Sequence, residues 1–374
     1  MNLIFTCGGT AGHINPAIAV ANGMKMRYPD ANILFIGAKG KMEEQLVPQA
    51  GYELKCLSAS GLSRKLNFAG IKQNIYAVKC VLNAVSACKK IYREFKPDAV
   101  IGTGGYASFP ALYAAQTMGI PTCVHEANAL PGVTTKLAAN KADRVLVAFE
   151  ESCQYYKNPD EVRVVGMPIR REFIDTTREE ARAALGLGKE KLVVSAFGSL
   201  GAKVMNETVA DMMALEQKDN FPFRHIHATG SFGKEWMPQR VRDNGVDLEN
   251  CPKLDIREYI YDMPILLNAA DVVIGRAGSG TCNELGATGA PCILVPSPNV
   301  TNNHQEKNAR LLEAAGGAVV MLEKDVTPER MYAQVQDLLN DPDRRENMHF
   351  ALKGLVRADS AERICDIIEE MIRK

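Results

Sequence analysis

The 374-residue sequence has one tryptophan, no net charge and no pair of cysteines spaced C-x-x-C. Each absence closes a class. Lys plus Arg and Asp plus Glu both number 44, so the chain lacks the basic surplus of a general nucleic-acid binder. The ten cysteines (Cys7, Cys56, Cys80, Cys88, Cys123, Cys153, Cys251, Cys282, Cys292 and Cys365) are scattered, most of them among apolar residues, as in Pro291-Cys292-Ile293-Leu294. They read as small buried hydrophobes in a reducing compartment, not as a disulfide framework or a zinc site. No basic segment followed by a long apolar run opens the chain, so no signal peptide is expected. Residues 100–124 carry no charge, but Gly102, Gly104, Gly105, Pro110, Gly119 and Pro121 interrupt them. A membrane-spanning helix needs about 20 predominantly apolar residues without such punctuation. The expectation is a cytoplasmic protein.

What is present is ordinary globular composition, 46% hydrophobic and 24% charged, at a length that suits two domains. Short apolar runs alternate with helical patterns. Strands are expected at residues 2–6, 32–36, 53–57, 99–101, 122–124, 144–147 and 162–165, with helices at 16–27, 41–50, 71–95 and 109–118. A break at Gly166-Met167-Pro168-Ile169-Arg170 precedes a second series, with strands at 192–196, 224–228, 272–274, 292–295 and 318–321 and an all-helical tail. Alternating β and α units predict parallel, doubly wound sheets. Two Rossmann-like α/β domains are expected, 1–165 and 166–356, with the ligand in the cleft between them.

Four glycine-rich turns follow predicted strands: residues 7–13, 102–106, 198–202 and 275–281. Such a turn sets backbone N–H groups beside a helix start, an arrangement that attracts phosphate. Any α/β protein needs glycine in tight turns, but four together favour a diphosphate ligand. A dinucleotide is disfavoured. The first turn is G-G-T-A-G-H, and no acidic residue follows Ile36 to grip an adenosine ribose. Nothing matches a P-loop either. The only Asp-x-Asp, Asp341-Pro342-Asp343, lies far from every glycine turn and reads as a helix cap. No metal is expected.

Three positions stand out as chemistry. Glu284, read as lying in the first turn of the helix after residues 275–281, is either a dipole-stabilising surface acid or an acceptor for a ribose diol. His13 starts the first helix, whose N-terminus disfavours the imidazolium; it is a phosphate donor, a cap or a general base. His125 and Glu126 follow the strand 122–124, at an end where sites collect. His225, His227 and His349 read as structural.

Charge is uneven. Residues 1–165 hold 18 basic and 12 acidic side chains, and between 61 and 96 eight basic residues face one acid, Glu94. Ile71, Ile75, Val78, Leu82 and Val85 mark one apolar helix stripe. The loop before it mixes Leu62, Leu66 and Phe68 with Arg64 and Lys65, and Lys72 follows at the start of the helix; basic plus apolar suits an anionic membrane surface.

These motifs together resemble the MurG family of bacterial peptidoglycan glycosyltransferases. The matching stretches are residues 8–13, 104–106, 125–128 (His-Glu-Ala-Asn), 166–170, 198–202, 276–284 and 304–309 (His-Gln-Glu-Lys-Asn-Ala). The resemblance implies a GT-B fold whose C-terminal helix, about 357–374, packs back on the first domain. It implies transfer of N-acetylglucosamine from UDP-GlcNAc to the C4 hydroxyl of the muramoyl sugar of lipid I, giving lipid II, with inversion and no metal or other cofactor. Donor residues carried over from it are Thr10, Ala11, Gly12, Asn128, Arg170, Ser199, Ile260, Ser279, Gly280, Thr281, Cys282, Asn283, Glu284 and Gln305. Gly104, Gly105, Tyr106 and His125 fall toward the acceptor, with His13 and Glu126 as the catalytic candidates. Ala127 and Leu200 stand where the family usually has Gln. Implied partners are UDP-GlcNAc, undecaprenyl-pyrophosphoryl-MurNAc-pentapeptide, the anionic inner membrane surface, and cell-wall and division proteins. Location at the cytoplasmic membrane face would follow. The rivals are a glycolipid synthase acting on diacylglycerol and a non-catalytic nucleotide-sugar-binding subunit.

Overall fold

The computed structural model describes the chain except residues 59–67, 106, 129, 301, 302, 356, 358 and 374, and the side chains of 68–78 and 160. Arg64, Lys65, Leu66 and Tyr106, and the side chains of Phe68 and Lys72, therefore lie outside the described residues. The chain divides into two compact units. One comprises Met1–Arg170 with Arg357–Lys374, the other Arg171–Val356.

The first unit is built on seven strands: β1 (Asn2–Thr6), β2 (Asn32–Ala38), β3 (Glu53–Leu57), β4 (Ala99–Gly102), β5 (Thr122–Glu126), β6 (Arg144–Val147) and β7 (Val162–Val164). They pair in the order β3-β2-β1-β4-β5-β6-β7, all parallel. Leu3 and Phe5 point into one apolar layer and Ile4 into the other, all fully buried. Both faces of β1 are therefore covered, which is why it reads as an unbroken apolar run. The C-terminal helix Ser360–Ile372 closes the first layer with Ile364, Ile368 and Met371, and Arg27 pairs with its Asp366 and Glu369 at 2.6 and 2.9 Å.

The second unit holds β8 (Leu192–Ala196), β9 (Arg224–Ala228), β10 (Leu254–Arg257), β11 (Val272–Gly275), β12 (Cys292–Leu294) and β13 (Ala318–Val320). Their order, β10-β9-β8-β11-β12-β13, is again parallel throughout. Strand β10 is absent from the sequence reading: Leu-Asp-Ile-Arg at a sheet edge carries two charges in four residues. Beneath β8, Ser195 Oγ lies 2.7 Å from both His225 Nε2 and His227 Nδ1, and His225 Nδ1 lies 2.9 Å from Glu216 Oε1. All four side chains are buried. The donors run one way from His227 Nδ1–H to Ser195, from Ser195 O–H to His225, and from His225 Nδ1–H to the carboxylate.

Three of the boundaries that differ from expectation bear on the site. The first helix spans Ala11–Arg27, with Pro16 inside it, because Ile14 is buried in the core and draws the preceding turn into the helix. Strand β5 runs on through His125 and Glu126, which pair with Leu146 and Val147 of β6; both belong to the strand instead of following it. The helix after β11 starts at Ser279, so Glu284 lies in its second turn and the first turn has no acid. Gly278 adopts the extended N-cap conformation, which begins the helix two residues before the glycine-rich stretch ends. Asp341 caps the helix Pro342–Lys353 by accepting from Arg344 N at 2.9 Å. All ten cysteines are free thiols, eight of them buried. Among the described residues, no helix is long and apolar enough to cross a membrane.

Candidate functional site

In the first unit the site gathers at the C-terminal ends of β1, β4 and β5. The turn after β1 carries Gly9 and Thr10 into the helix Ala11–Arg27, where His13 is the third residue. Thr10 and Gly12 are exposed, Ala11 and His13 half-buried. His13 Nδ1 lies 3.1 Å from the Thr103 carbonyl oxygen. A carbonyl only accepts, so Nδ1 carries the proton and Nε2 keeps a lone pair. The Thr103 hydroxyl donates back to the His13 carbonyl at 2.6 Å. Burial lowers the His13 pKa; charges on Glu126 and Glu43 oppose that shift, as does the bond to Thr103.

Gly104 and Gly105 follow Thr103. Gly104 has φ +105°, and a Cβ there would stand 2.7 Å from His13 Nδ1. Only glycine lets the second turn pass the imidazole this closely.

On β5, His125 Nε2 donates to the Gly166 carbonyl at 2.9 Å, and burial lowers its pKa. Glu126 is fully engaged with its own loop: Oε1 accepts from Asn128 N at 2.9 Å and Asn128 Nδ2 at 3.0 Å, and Oε2 from Gly132 N at 3.0 Å. The Asn128 carbonyl in turn accepts from Ser152 Oγ at 2.8 Å. A carboxylate so occupied is a loop clamp. Arg170 lies half-buried in the segment after β7.

In the second unit, two helix starts follow neighbouring strands. The turn after β8 leads through Ser199 into the helix Lys203–Lys218, and β11 leads through Gly278 into Ser279–Thr288. Their first-turn N–H groups and positive dipole ends favour an anion at this edge. Ser199 N–H lies within the turn closed by Gly201 N to Gly198 O at 3.0 Å. The second helix supplies Ser279, Gly280, Thr281, Cys282, Asn283 and Glu284. Ser279 and Cys282 are buried, whereas Gly280, Thr281, Asn283 and Glu284 are partly accessible. Asn283 Nδ2 donates to the Ser279 carbonyl at 2.8 Å, an internal helix contact. Ile260 is buried just beyond β10. Gln305 Oε1 accepts from Ser297 N at 2.9 Å, which fixes the amide plane and leaves its NH2 to donate elsewhere. Arg276 is tied to the Val295 carbonyl at 3.0 Å and to Glu323 at 2.5 Å, so it braces the turn from below.

Among the described residues, no three His, Cys, Asp or Glu side chains are grouped so as to hold a metal ion. Thr103, which orients His13, and Glu43, which lies under the first turn, carry no motif that marks them in the sequence.

Residues 3–147 match the glycosyltransferase family 28 N-terminal domain, and residues 192–364 its C-terminal domain. The chain is 41% identical over 374 residues to the UDP-N-acetylglucosamine--N-acetylmuramyl-(pentapeptide) pyrophosphoryl-undecaprenol N-acetylglucosamine transferase of Acetivibrio thermocellus, covering 100% of this chain and 99% of that one. A protein of the same name from Thermoanaerobacter sp. (strain X514) is 41% identical over 372 residues, covering 99% and 100%. Among solved structures, the crystal structure of Acinetobacter baumannii MurG aligns with a TM-score of 0.68 at 24% identity, over 99% of each chain. That likeness is one of fold, the GT-B architecture of two Rossmann-like domains.

Proposed function

The chain belongs to glycosyltransferase family 28, and from that premise we propose that it moves N-acetylglucosamine from UDP-N-acetylglucosamine onto lipid I to make lipid II. The acceptor atom is the C4 hydroxyl of the muramoyl sugar, and the reaction inverts the anomeric centre without a metal ion. The observation that carries this reading is the pair of helix starts after β8 and β11, neighbours in one sheet. There, N–H groups and helix dipoles offset the charge that builds on UDP as it leaves. Glu284 accepts from the ribose hydroxyls one turn along, Gln305 donates to sugar hydroxyls, and the backbone at Ile260 meets uracil.

On the acceptor side, His13 Nε2 takes the hydroxyl proton as that oxygen attacks the anomeric carbon from the face opposite UDP. The helix start and burial both keep the ring neutral, so it is ready to accept at neutral pH. His125, Gly104 and Gly105 line the approach of the acceptor diphosphate. Thr10, Ala11, Gly12, Asn128, Arg170 and Ser199 complete the donor contacts. The exposed Lys79, Lys90 and Arg93 on the helix Phe68–Phe95 support peripheral binding to the anionic cytoplasmic membrane face.

Incubation with UDP-GlcNAc and a short-chain lipid I analogue tests the reading. Formation of the disaccharide lipid with stoichiometric UDP supports it. Turnover only with UDP-glucose or UDP-galactose and diacylglycerol would replace it with a glycolipid synthase, and no UDP release at all with a binding subunit.

A further inference from the structure

Two adjacent acids, Glu43 and Glu44, open the short helix Glu43–Gln49 after β2. Their fates differ. Glu44 faces outward and accepts from Gly40 N at 3.0 Å. Glu43 is fully buried, and its Oε1 accepts from Ala38 N at 3.1 Å and from Gly9 N at 3.0 Å. A Cβ on Gly37 would come within 2.9 Å of Glu43 Cβ and Cγ, so the β2 end is shaped around this side chain. One oxygen thus ties the end of β2 to the turn that leads into His13. The Gly9 N–H, which a phosphate would otherwise attract, already has a carboxylate. The charge is felt nearby: with burial it pushes the Cys7 thiol up, and it favours the protonated form of His13.

We propose that Glu43 is a positioning residue for the transfer, fixing the turn at Gly9 so that the helix Ala11–Arg27 starts in one register and His13 presents Nε2 to the acceptor hydroxyl. This rests on the reading of His13 as the base. The charged and titratable groups felt at His13 are Glu43 from the helix after β2 and Glu126 and His125 from β5, and its Nδ1 meets the Thr103 carbonyl after β4. The two carboxylates oppose the burial that keeps the ring neutral. Removing the Glu43 charge while keeping its acceptor oxygen therefore lowers the His13 pKa further, and removing the whole side chain frees the turn.

The test uses the full chain with Glu43→Gln and Glu43→Ala, each checked for folding by circular dichroism. Amide hydrogen exchange on the substrate-free protein reads the Gly9 tether without reference to catalysis. Steady-state kinetics with UDP-GlcNAc and the lipid I analogue read the consequence. Glu43→Ala is expected to exchange at Gly9 at least about tenfold faster and to lose at least about tenfold in kcat, with the donor KM little changed. Glu43→Gln is expected to keep Gly9 protected and most of kcat, while the acid limb of kcat/KM moves to lower pH. Should Glu43→Ala fail to fold, the Gln variant alone decides through that limb. Parental exchange at Gly9 in the Ala variant, or an unmoved acid limb in the Gln variant, would overturn the proposal. Failure of the base reading shows separately, as parental turnover by His13→Ala.

Discussion

His13 and Thr103 hold each other by a reciprocal pair of bonds: imidazole Nδ1 to the Thr103 carbonyl at 3.1 Å, and the Thr103 hydroxyl to the His13 carbonyl at 2.6 Å. The first bond settles the tautomer, and the second ties the residue before the glycine pair 104–105 to the first turn of the helix. A single threonine thus orients the ring and couples two loops. Replacing His13 by Ala is expected to cost about 10²–10⁴-fold in kcat, read by UDP release, with donor binding preserved. Thr103→Val keeps the carbonyl but deletes the hydroxyl bond. It is expected to lose about 1 kcal/mol of stability and a smaller part of kcat.

Glu126 separates two roles cleanly. As a base it would lose activity equally as Gln or Ala. As the clamp that accepts from Asn128 and Gly132, it should be largely rescued by Gln, whose oxygen still accepts, and not by Ala. The ratio of kcat for the two variants measures the difference, and the clamp predicts a Gln variant at least about tenfold faster than the Ala variant.

Glu284 is expected to act on the donor alone. Glu284→Ala should raise the KM for UDP-GlcNAc by about tenfold to a hundredfold, the worth of charge-assisted hydrogen bonds, with the lipid KM unchanged. Calorimetric binding of UDP checks this without turnover.

Acid should weaken the fold early. His13, His125 and His227 all have pKa values held below the ordinary imidazole value by burial. Below about pH 6.5 the unfolded chain takes up protons that these rings refuse in the native state. Their stabilisation is complete above that pH and is lost as pH falls toward the folded values, at up to about 1.4 kcal/mol per pH unit for each ring. Urea midpoints at pH 7.5 and 5.5 should differ accordingly, and His227→Phe should reduce the difference.

Ser195 joins two buried histidines, so Ser195→Ala leaves His225 Nε2 and His227 Nδ1 without their shared partner. An expected loss of about 2–4 kcal/mol follows, read by urea unfolding, with no change in donor KM if the network is purely structural.

The doubly wound sheets were legible because strands buried on both faces spell themselves out, as Leu3-Ile4-Phe5 and Val272-Val273-Ile274 do. So were the turns that open the site, since glycine marks where a backbone must bend sharply. Strand β10 was not legible, because an edge strand needs no continuous apolar run. The start of the first helix was hidden by Pro16, which reads as a first-turn residue although Ile14 pulls the helix back to Ala11. The division of labour between Glu43 and Glu44 leaves no mark in the sequence either. Both are acids in a first helical turn, and only the packing of Gly37 and Gly9 around one of them tells them apart.

The proposed transfer runs on helix starts and a neutral imidazole, with no divalent ion. Its most direct test is the initial rate of UDP release from UDP-GlcNAc and the lipid I analogue in protein treated with excess EDTA. The expected rate equals that of untreated protein, with no gain on adding magnesium or manganese. A rate that collapses in EDTA and returns with either cation would contradict it.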